Sequence, residues 1–262
     1  MQPSELIKSA QLLEARNILV ESVKINPENI SERKLLMSVL IAMGEWDKAE
    51  KHINIIETLD SEAGKYLQVT KSLIIGEKER QQMFANFHLP NCFPEVPKFF
   101  FNIADLFKMV AESEISKASK LSEKIQNEGP ALKGRINGKA FQGIQNIDSL
   151  INSFLEAFIY DRYVWIPFES IHSLTCSEPK HFLDLIWILS KIETKNGFQI
   201  HAFLPALYRE SYKHEDNDIK LGRKTDCLYL GESFIQGVGQ QIIQIGGKDW
   251  PILEIRELVI VN

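Results

Sequence analysis

The stretch Asp161-Arg162-Tyr163-Val164-Trp165-Ile166-Pro167-Phe168-Glu169 marks where the chain changes from helical to strand-like periodicity. It combines aromatic and β-branched side chains and contains no nucleophile, metal-ligand cluster or phosphate-binding loop. Before it, apolar residues recur mostly at the spacing of amphipathic helices, and after it they form short runs typical of strands. The sequence therefore predicts an α+β chain, in which helices are followed by a mostly antiparallel, β-rich part with few helices.

The first ninety residues contain an internal repeat with a period of 34 residues. The aligned pairs are Leu12 with Trp46, Ala15 with Ala49, Leu19 with Ile53, and Ser22 with Ile56. This is the period of tetratricopeptide (TPR) repeats, in which a small residue lets two helices approach closely. A plain helical bundle is the alternative, because two repeats can align by chance and Ser61 occupies a position where the TPR pattern has proline.

Turn and breaker residues set the expected helix boundaries. Gly44 lies between predicted helices at Ser31–Met43 and Trp46–Leu59, where a tight turn favours a positive φ. Pro27 ends the first helix pair. A further helix at about Glu62–Phe87 is expected to cap the stack with its apolar stripe, which consists of Leu67, Leu73 and Met83.

Prolines suggest a division into domains. Pro90, Pro94 and Pro97 interrupt helix formation within eight residues. We therefore expect a TPR-like helical repeat region at 1–89, a proline-rich linker at 90–98 and a C-terminal α+β domain at 99–262. The C-terminal domain should begin with a helix at 99–126 that ends before Gly129-Pro130.

The C-terminal half combines one further helix with several strands. Asn137-Gly138 predicts a hairpin, and Asp148 is a candidate N-cap for a helix at Asp148–Ile159. Turns at Asn196-Gly197 and Gly246-Gly247 predict two more hairpins, and the polar segment Tyr212–Asp218 is expected to be an exposed loop. The expected strands are Tyr163–Phe168, Ser170–Cys176, Trp187–Thr194, Phe198–Leu204, Lys224–Leu230, Gln241–Ile245 and Ile252–Val261.

The composition argues against several classes of partner. A formal net charge of −5 supplies no basic field for nucleic acid or an anionic membrane. The three cysteines, Cys92, Cys176 and Cys227, are widely separated and odd in number, which fits neither a disulfide framework nor a zinc site and favours a reducing cytoplasm. No window approaches the roughly 20 apolar residues of a membrane span. Residues 1–10 lack the apolar core of a signal peptide.

The residues usually found in active sites form no recognisable catalytic pattern. The six histidines lack metal-binding spacing, and Cys176, although close to His172 and His181, has no nucleophile signature. The glycines at Gly237-Val238-Gly239 are flanked by strands and not by a strand-to-helix phosphate turn. We therefore expect no catalytic residue, no cofactor and no metal.

Two segments are candidates for partner binding. A stack of helical repeats presents a concave face, toward which some of Lys34, Ser38 and Ile41 would project if Trp46 and Ala49 are core residues. The alternative is that these three are simply solvated positions. The second candidate segment offers Arg162, Tyr163, Trp165 and Phe168. These aromatic side chains are either core residues at a junction of helix and sheet or exposed anchors beside Arg162, and the sequence leaves both interpretations open.

Several motifs in a fixed order resemble the ImpE family, also called SciE or TagJ. They are Gly44-Glu45-Trp46-Asp47-Lys48-Ala49, Arg162-Tyr163-Val164-Trp165-Ile166-Pro167-Phe168-Glu169, Asp184-Leu185-Ile186-Trp187, Gly222-Arg223-Lys224-Thr225-Asp226 and Leu253-Glu254-Ile255-Arg256-Glu257-Leu258. The resemblance covers essentially the whole chain. The chain departs from the family pattern at Cys227, where the pattern has tryptophan, and at Gln241, where it has arginine.

The resemblance implies a cytoplasmic, non-enzymatic accessory protein of bacterial type VI secretion. It also implies binding to the N-terminal helix of the small sheath subunit TssB, and a role in sheath assembly or in its recycling by the ClpV ATPase. The alternative is an enzyme with an unrecognised site in the C-terminal domain. A cavity lined by His172, Cys176 and His201 would favour that alternative, whereas an open apolar groove would favour the accessory protein.

Overall fold

Helices make up the first part of the chain. The computed structural model describes residues 2–231 and 233–261. The helices before residue 90 are α1 (Pro3–Lys8), α2 (Leu12–Ile25), α3 (Ile30–Ala42), α4 (Trp46–Leu59) and α5 (Ser61–Ala85). Each helix packs against the next along the chain, so that the five form a stack.

The 34-residue period reappears in the helix boundaries. Both α2 and α4 have 14 residues, and each end of α4 lies 34 residues after the corresponding end of α2. Ala15 and Ala49, at the same place in each, are fully buried. Gly44 has the expected positive φ, 71°. The sequence thus predicted the spacing of these helices and the turn between α3 and α4.

The proline-rich segment at 90–98 contributes to the sheet. Its strand β1 (Asn91–Cys92) pairs in parallel with Val164 and Trp165. Beyond it, the single helix expected at 99–126 is wrong, because two helices are present, α6 (Phe100–Ala111) and α7 (Ile115–Glu128). Ser113, at a φ of 59°, reverses the chain between them, and the two helices pack against each other. Because the amphipathic pattern continues across this turn, the sequence did not indicate that the helix ends there.

The rest of the described chain is dominated by strands. They are β2 (Lys133–Ile136), β3 (Lys139–Gln142), β4 (Ile144–Asn146), β5 (Phe154–Ile159), β6 (Arg162–Pro167), β7 (Ile171–Cys176), β8 (Trp187–Thr194) and β9 (Gln199–Pro205). A short helix, α8 (Asn217–Lys220), precedes β10 (Thr225–Tyr229), β11 (Ile235–Gly239), β12 (Ile242–Ile245), β13 (Lys248–Pro251) and β14 (Glu257–Val261).

These strands form one large and two small sheets. The nine-stranded sheet has the order β1-β6-β5-β9-β8-β7-β14-β2-β3, and all its pairs except β1–β6 are antiparallel. The small sheets are β10-β11 and β13-β12-β4. The three expected hairpins are confirmed, since β2–β3, β8–β9 and β12–β13 pair across the predicted turns. The α+β class is therefore confirmed.

Two predictions in this region are wrong. The helix expected at Asp148–Ile159 is absent from the described residues, which hold a turn followed by β5. Phe154 and Phe158 face the helices while Leu155 and Ala157 face the opposite core layer. A strand buried on both faces reads as a continuous apolar run, which periodicity cannot distinguish from a buried helix. The strand expected at Ile252–Val261 is interrupted by a 3-10 turn at Ile252–Glu254, and only β14 remains.

The large sheet separates two apolar layers. The first layer joins the helices to one face of β5 and β6, and it includes Ile74, Phe107 and Trp165. Gly76 lets α5 approach the sheet closely, because a Cβ there would lie 2.7 Å from the ring of Phe158. The second layer lies on the opposite face. The core is therefore continuous across residues 90–98.

Candidate functional site at the junction of helices and sheet

The segment Arg162–Glu169 begins as the buried strand β6. Tyr163 and Trp165 are fully buried and Phe168 is 2% exposed. Trp165 packs on Phe154 with ring centroids 4.8 Å apart. Arg162 is exposed, 4.0 Å from Glu79. The core interpretation of these aromatic side chains is therefore confirmed, and the rings are not available as exposed anchors for a partner.

An ion pair joins α5 to the sheet inside this layer. Arg80 Nε and Nη2 donate to the two carboxylate oxygens of Glu156, each over 2.8 Å. Both side chains are buried. Burial alone lowers the pKa of Arg80, but Glu156 and then Glu77 outweigh it and raise that pKa above its usual value. A buried pair with this bidentate geometry stays ionised, because the opposite charge and its two hydrogen bonds compensate each group for the hydration that it loses.

Glu156 is the centre of a wider hydrogen-bond network. Its carboxylate also accepts from Tyr163 Oη and, over 2.7 Å, from Gln241 Nε2. Gln241 Nε2 donates further to the carbonyl of Pro205, and Asn146 donates to Gln241 Oε1. Burial, followed by the charge of Glu156, raises the pKa of Tyr163 well above its usual value, so the phenol remains a donor. Gln241, where the family pattern has arginine, thus lies in the network.

A second buried pair lies beside the first. Arg209 Nη1 donates to Asp148 Oδ2 over 2.7 Å, and the guanidinium lies over the ring of Phe84, 4.4 Å from its centroid. The backbone amides of Leu150 and Gly237 also donate to Asp148. Asp148 therefore holds a turn and a strand together, instead of capping the helix expected there.

The polar segment expected to be an exposed loop packs on the helical stack. Tyr212 meets Trp46 edge to face, with ring centroids 4.8 Å apart. Asn217 Nδ2 donates to the carbonyl of Ala10, and Arg223 donates to the carbonyls of Ile7 and Lys8 near the end of α1. The prediction of a loop exposed throughout is wrong, because Tyr212 packs on Trp46 and Asn217 donates to the carbonyl of Ala10.

The predicted groove residues on α3 have different surroundings. Ile41 is buried and lines a cavity of about 30 Å³ between the stack and the sheet, whereas Lys34 and Ser38 are half-buried. Ser38 Oγ donates to the carbonyl of Lys34. No hydrogen bond or ion pair joins these α3 residues to Arg162 within residues 2–231 and 233–261. The structure does not bring the two predicted segments together as one site.

Sequence reasoning missed the charged residues that organise this junction. Glu156 had a detectable signal, since it is the single charge in the apolar run Phe154-Leu155-Glu156-Ala157-Phe158. Arg80 had none, because it follows Glu77, Lys78 and Glu79 in what reads as a solvated helix face. Each of three family motifs has one residue at this junction, and these residues are Trp46, Trp187 and Arg223.

The residues considered for catalysis do not converge. Cys176 is buried and His172 is exposed on β7, while His201 is exposed on β9. Burial raises the pKa of Cys176, and burial raises that of Cys92 to about 12, so these thiols are poor nucleophiles. Within the described residues, no group of three or more histidine, cysteine or acidic side chains could hold a metal ion. None of the helices described is long and apolar enough to cross a membrane.

Comparison with known proteins finds similarity to one family. Residues 138–259 match the family model described as ImpE protein. A curated relative is the "Type VI secretion system accessory component TagJ" of Pseudomonas aeruginosa, which is 29% identical over 258 residues, 98% of this chain and 90% of the relative. Residues 138–259 of the chain are therefore similar to the ImpE family, and nearly the whole chain is similar to the TagJ relative.

A solved structure shares the fold of this chain. The crystal structure of protein VPA1032 from Vibrio parahaemolyticus superimposes with a TM-score of 0.88 at 18% sequence identity. The match covers 100% of this chain and 98% of that one. The fold is therefore shared over the helices and the sheets alike.

Proposed function

We propose that this protein belongs to the ImpE family and is a non-enzymatic, cytoplasmic adaptor that binds the N-terminal helix of the small sheath subunit TssB. In this proposal, binding modulates sheath assembly or recycling. The observation that carries it is the match to a type VI accessory component over 98% of the chain. The match includes the helical stack as well as the ImpE-matched residues, so the proposal draws on the whole chain.

A TPR-like stack is the proposed docking element. The equal lengths and 34-residue offset of α2 and α4 support this assignment. Such stacks bind amphipathic helices or extended peptides along their helices. A partner helix would bury its apolar stripe there, and the preformed surface would keep the ordering cost low.

The proposed contact surface lies on the open part of the stack. On α5, Tyr66 and Val69 are 80% and 51% exposed and lie one helical turn apart. Further along α5, Ile74 and Arg80 are buried against the sheet. Lys34 and Ser38 on α3 are half-buried and remain proposed contacts on the stack. The exposed Arg162 lies on β6 and remains a separate proposed contact.

Calorimetric titration with a peptide spanning the N-terminal helix of the cognate TssB tests this proposal. We expect saturable binding with a negative heat-capacity change, because apolar surface is buried. Val69→Asp should weaken binding about tenfold or more, since a charge would enter an apolar contact. Leu228→Asp, at an exposed apolar position on β10, is the matched control and should bind normally.

Two results would contradict the proposal. Absence of binding at about 100 μM peptide, equivalent to roughly −5.5 kcal/mol, would exclude capture of this helix. Equal weakening by Val69→Asp and Leu228→Asp would show that the stack is not the docking surface.

A further inference from the structure

A small cavity, here called the junction cavity, lies where the helical stack meets the large sheet. It has a volume of about 30 Å³, and its walls come from α3, α4, α5, the start of β8 and the segment after β9. Trp46, Gln81 and Tyr212 in these walls are half-buried, so the cavity reaches solvent beside them. About 10–15 Å³ is enough for one water molecule, so the junction cavity has room for a group of two or three heavy atoms.

One hydrogen-bond donor in the wall has no partner. Trp187 lines the junction cavity and is 2% exposed, yet its indole Nε1–H finds no acceptor among the described residues. The buried indole of Trp165, in contrast, donates to Tyr163 Oη. Buried N–H groups are nearly always paired, because an unpaired one destabilises the fold. Since the protein supplies no acceptor to Trp187, the cavity is the space from which one can come.

A buried carboxylate in the same wall has an unused oxygen. Glu77 lines the cavity and is 7% exposed. Its Oε1 accepts from Gln81 Nε2 over 2.7 Å and from Arg80 Nη1 over 3.2 Å, whereas its Oε2 accepts no hydrogen bond within the part of the chain that the structure describes. Arg80 Nη1 carries two hydrogens, and the bond to Glu77 uses one of them. The wall therefore offers one acceptor and two donors to a ligand.

The two charges in the wall decide which chemical class fits. An ammonium group would pair with Glu77 but would be repelled by Arg80 and by the Nε1 hydrogen of Trp187. A carboxylate would accept from both donors but would be repelled by Glu77. A primary carboxamide is neutral, its oxygen accepts two hydrogen bonds and its NH2 group donates two. Its three heavy atoms also match the volume of the cavity.

We propose that the junction cavity binds a primary carboxamide group. The carboxamide oxygen accepts from Trp187 Nε1 and Arg80 Nη1, and the NH2 group donates to Glu77 Oε2. The group enters beside the rings of Trp46 and Tyr212. It belongs either to a free small amide or to a glutamine or asparagine side chain of a partner protein. The cavity is separate from the exposed face of α5 proposed to bind the sheath helix, and this inference does not depend on the proposed function.

NMR spectroscopy of the indole N–H groups in the full-length protein tests the inference, with acetamide as the probe. The Trp187→Phe variant identifies the Trp187 resonance by its loss. We expect this resonance to shift saturably with a dissociation constant of about 1–10 mM, a reasonable value for a ligand of four heavy atoms. The Trp165 resonance should stay in place, because that indole already donates to Tyr163. Acetate and methylammonium should leave the Trp187 resonance unchanged.

Two glutamine variants on α5 form a matched pair. Glu77→Gln keeps the size of the side chain but removes the charged acceptor, so acetamide should bind about five- to tenfold more weakly. Arg80 keeps its pair with Glu156 in this variant, which preserves the fold. Glu79→Gln changes a half-buried carboxylate of the same helix that accepts from the backbone of Tyr163 on β6, and it should bind acetamide like the unmodified protein.

N-acetylglutamine methylamide distinguishes the two sources of the carboxamide. Binding at least as tight as that of acetamide would assign the site to a side chain of a partner protein, and binding of acetamide alone would assign it to a free amide.

Three results would overturn the inference. An unmoved Trp187 resonance at about 100 mM acetamide would show that the cavity holds ordered water only. Equal weakening by Glu77→Gln and Glu79→Gln would place the amide elsewhere. Equal binding of ethanol would mean that the site selects a hydroxyl group and not a carboxamide. Glu77→Gln should leave TssB-helix binding unchanged, so the two proposals can fail separately.

Discussion

At the scale of single residues, the buried charged side chains at the junction have buried hydrogen-bond partners. Glu156 accepts hydrogen bonds from Arg80, Tyr163 and Gln241, so its carboxylate oxygens are satisfied away from water. A buried charge that keeps all its partners costs little, whereas one that loses a partner becomes strongly destabilising. The network therefore fixes the position of α5 on the sheet more than it adds net stability.

Arg80→Met tests this account. The substitution leaves Glu156 buried without its counter-charge, so we expect the free energy of unfolding to fall by about 3–5 kcal/mol. Adding Glu156→Gln to Arg80→Met removes the unpaired charge and should restore part of the loss. Urea denaturation of both variants provides the measurement. A double variant no more stable than Arg80→Met would contradict the unpaired charge as the cause.

At the scale of elements, the turn between α3 and α4 is fitted to the segment after β9. Gly44 allows the positive φ of this turn, and its missing side chain leaves room for the ring of Tyr212. A Cβ at Gly44 would lie 2.1 Å from that ring. The turn is therefore both a helix boundary and a contact with the second half of the chain.

Gly44→Ala separates these two roles, with Gly138→Ala as its control. Gly138 has a similar φ of 79° and nothing within 4 Å of its ideal Cβ. Gly138→Ala should destabilise by about 1 kcal/mol, the backbone strain alone. Gly44→Ala should cost about 1–3 kcal/mol more, because the ring must also move. If both variants lose the same amount of stability in thermal unfolding, the contact between Gly44 and Tyr212 contributes nothing to stability.

At the scale of the whole molecule, the helical stack and the sheet share one apolar layer. Buried pairs and backbone contacts cross between them, including Arg80 with Glu156 and Arg223 with Ile7. The division into domains at 1–89 and 99–262 remains a prediction from the prolines at 90–98. A shared core predicts that the helical stack and the sheet unfold together, whereas two independent units would unfold separately.

Thermal unfolding distinguishes these possibilities. We expect one cooperative transition, because neither part can expose its half of the layer and remain stable. Far-ultraviolet circular dichroism and tryptophan fluorescence should give the same midpoint, and calorimetric and van't Hoff enthalpies should agree. Residues 1–89 alone should unfold at a lower temperature than the full chain. Two separate transitions would instead support independent domains.

The amino-acid sequence by itself determined the features governed by local rules. Asn-Gly and Gly-Gly turns specified the three hairpins, and the 34-residue period specified α2, α4 and the turn at Gly44. Each depends on residues close together in the chain, where backbone conformation and side-chain spacing act directly.

Only the tertiary structure decided the rest. β5 is a strand because both its faces meet core, which its apolar run leaves ambiguous. Glu156 and Arg80, 76 residues apart, reveal their pairing only when α5 lies on the sheet. Burial and long-range pairing are properties of the packed chain, because local spacing does not specify which distant surface a side chain will meet.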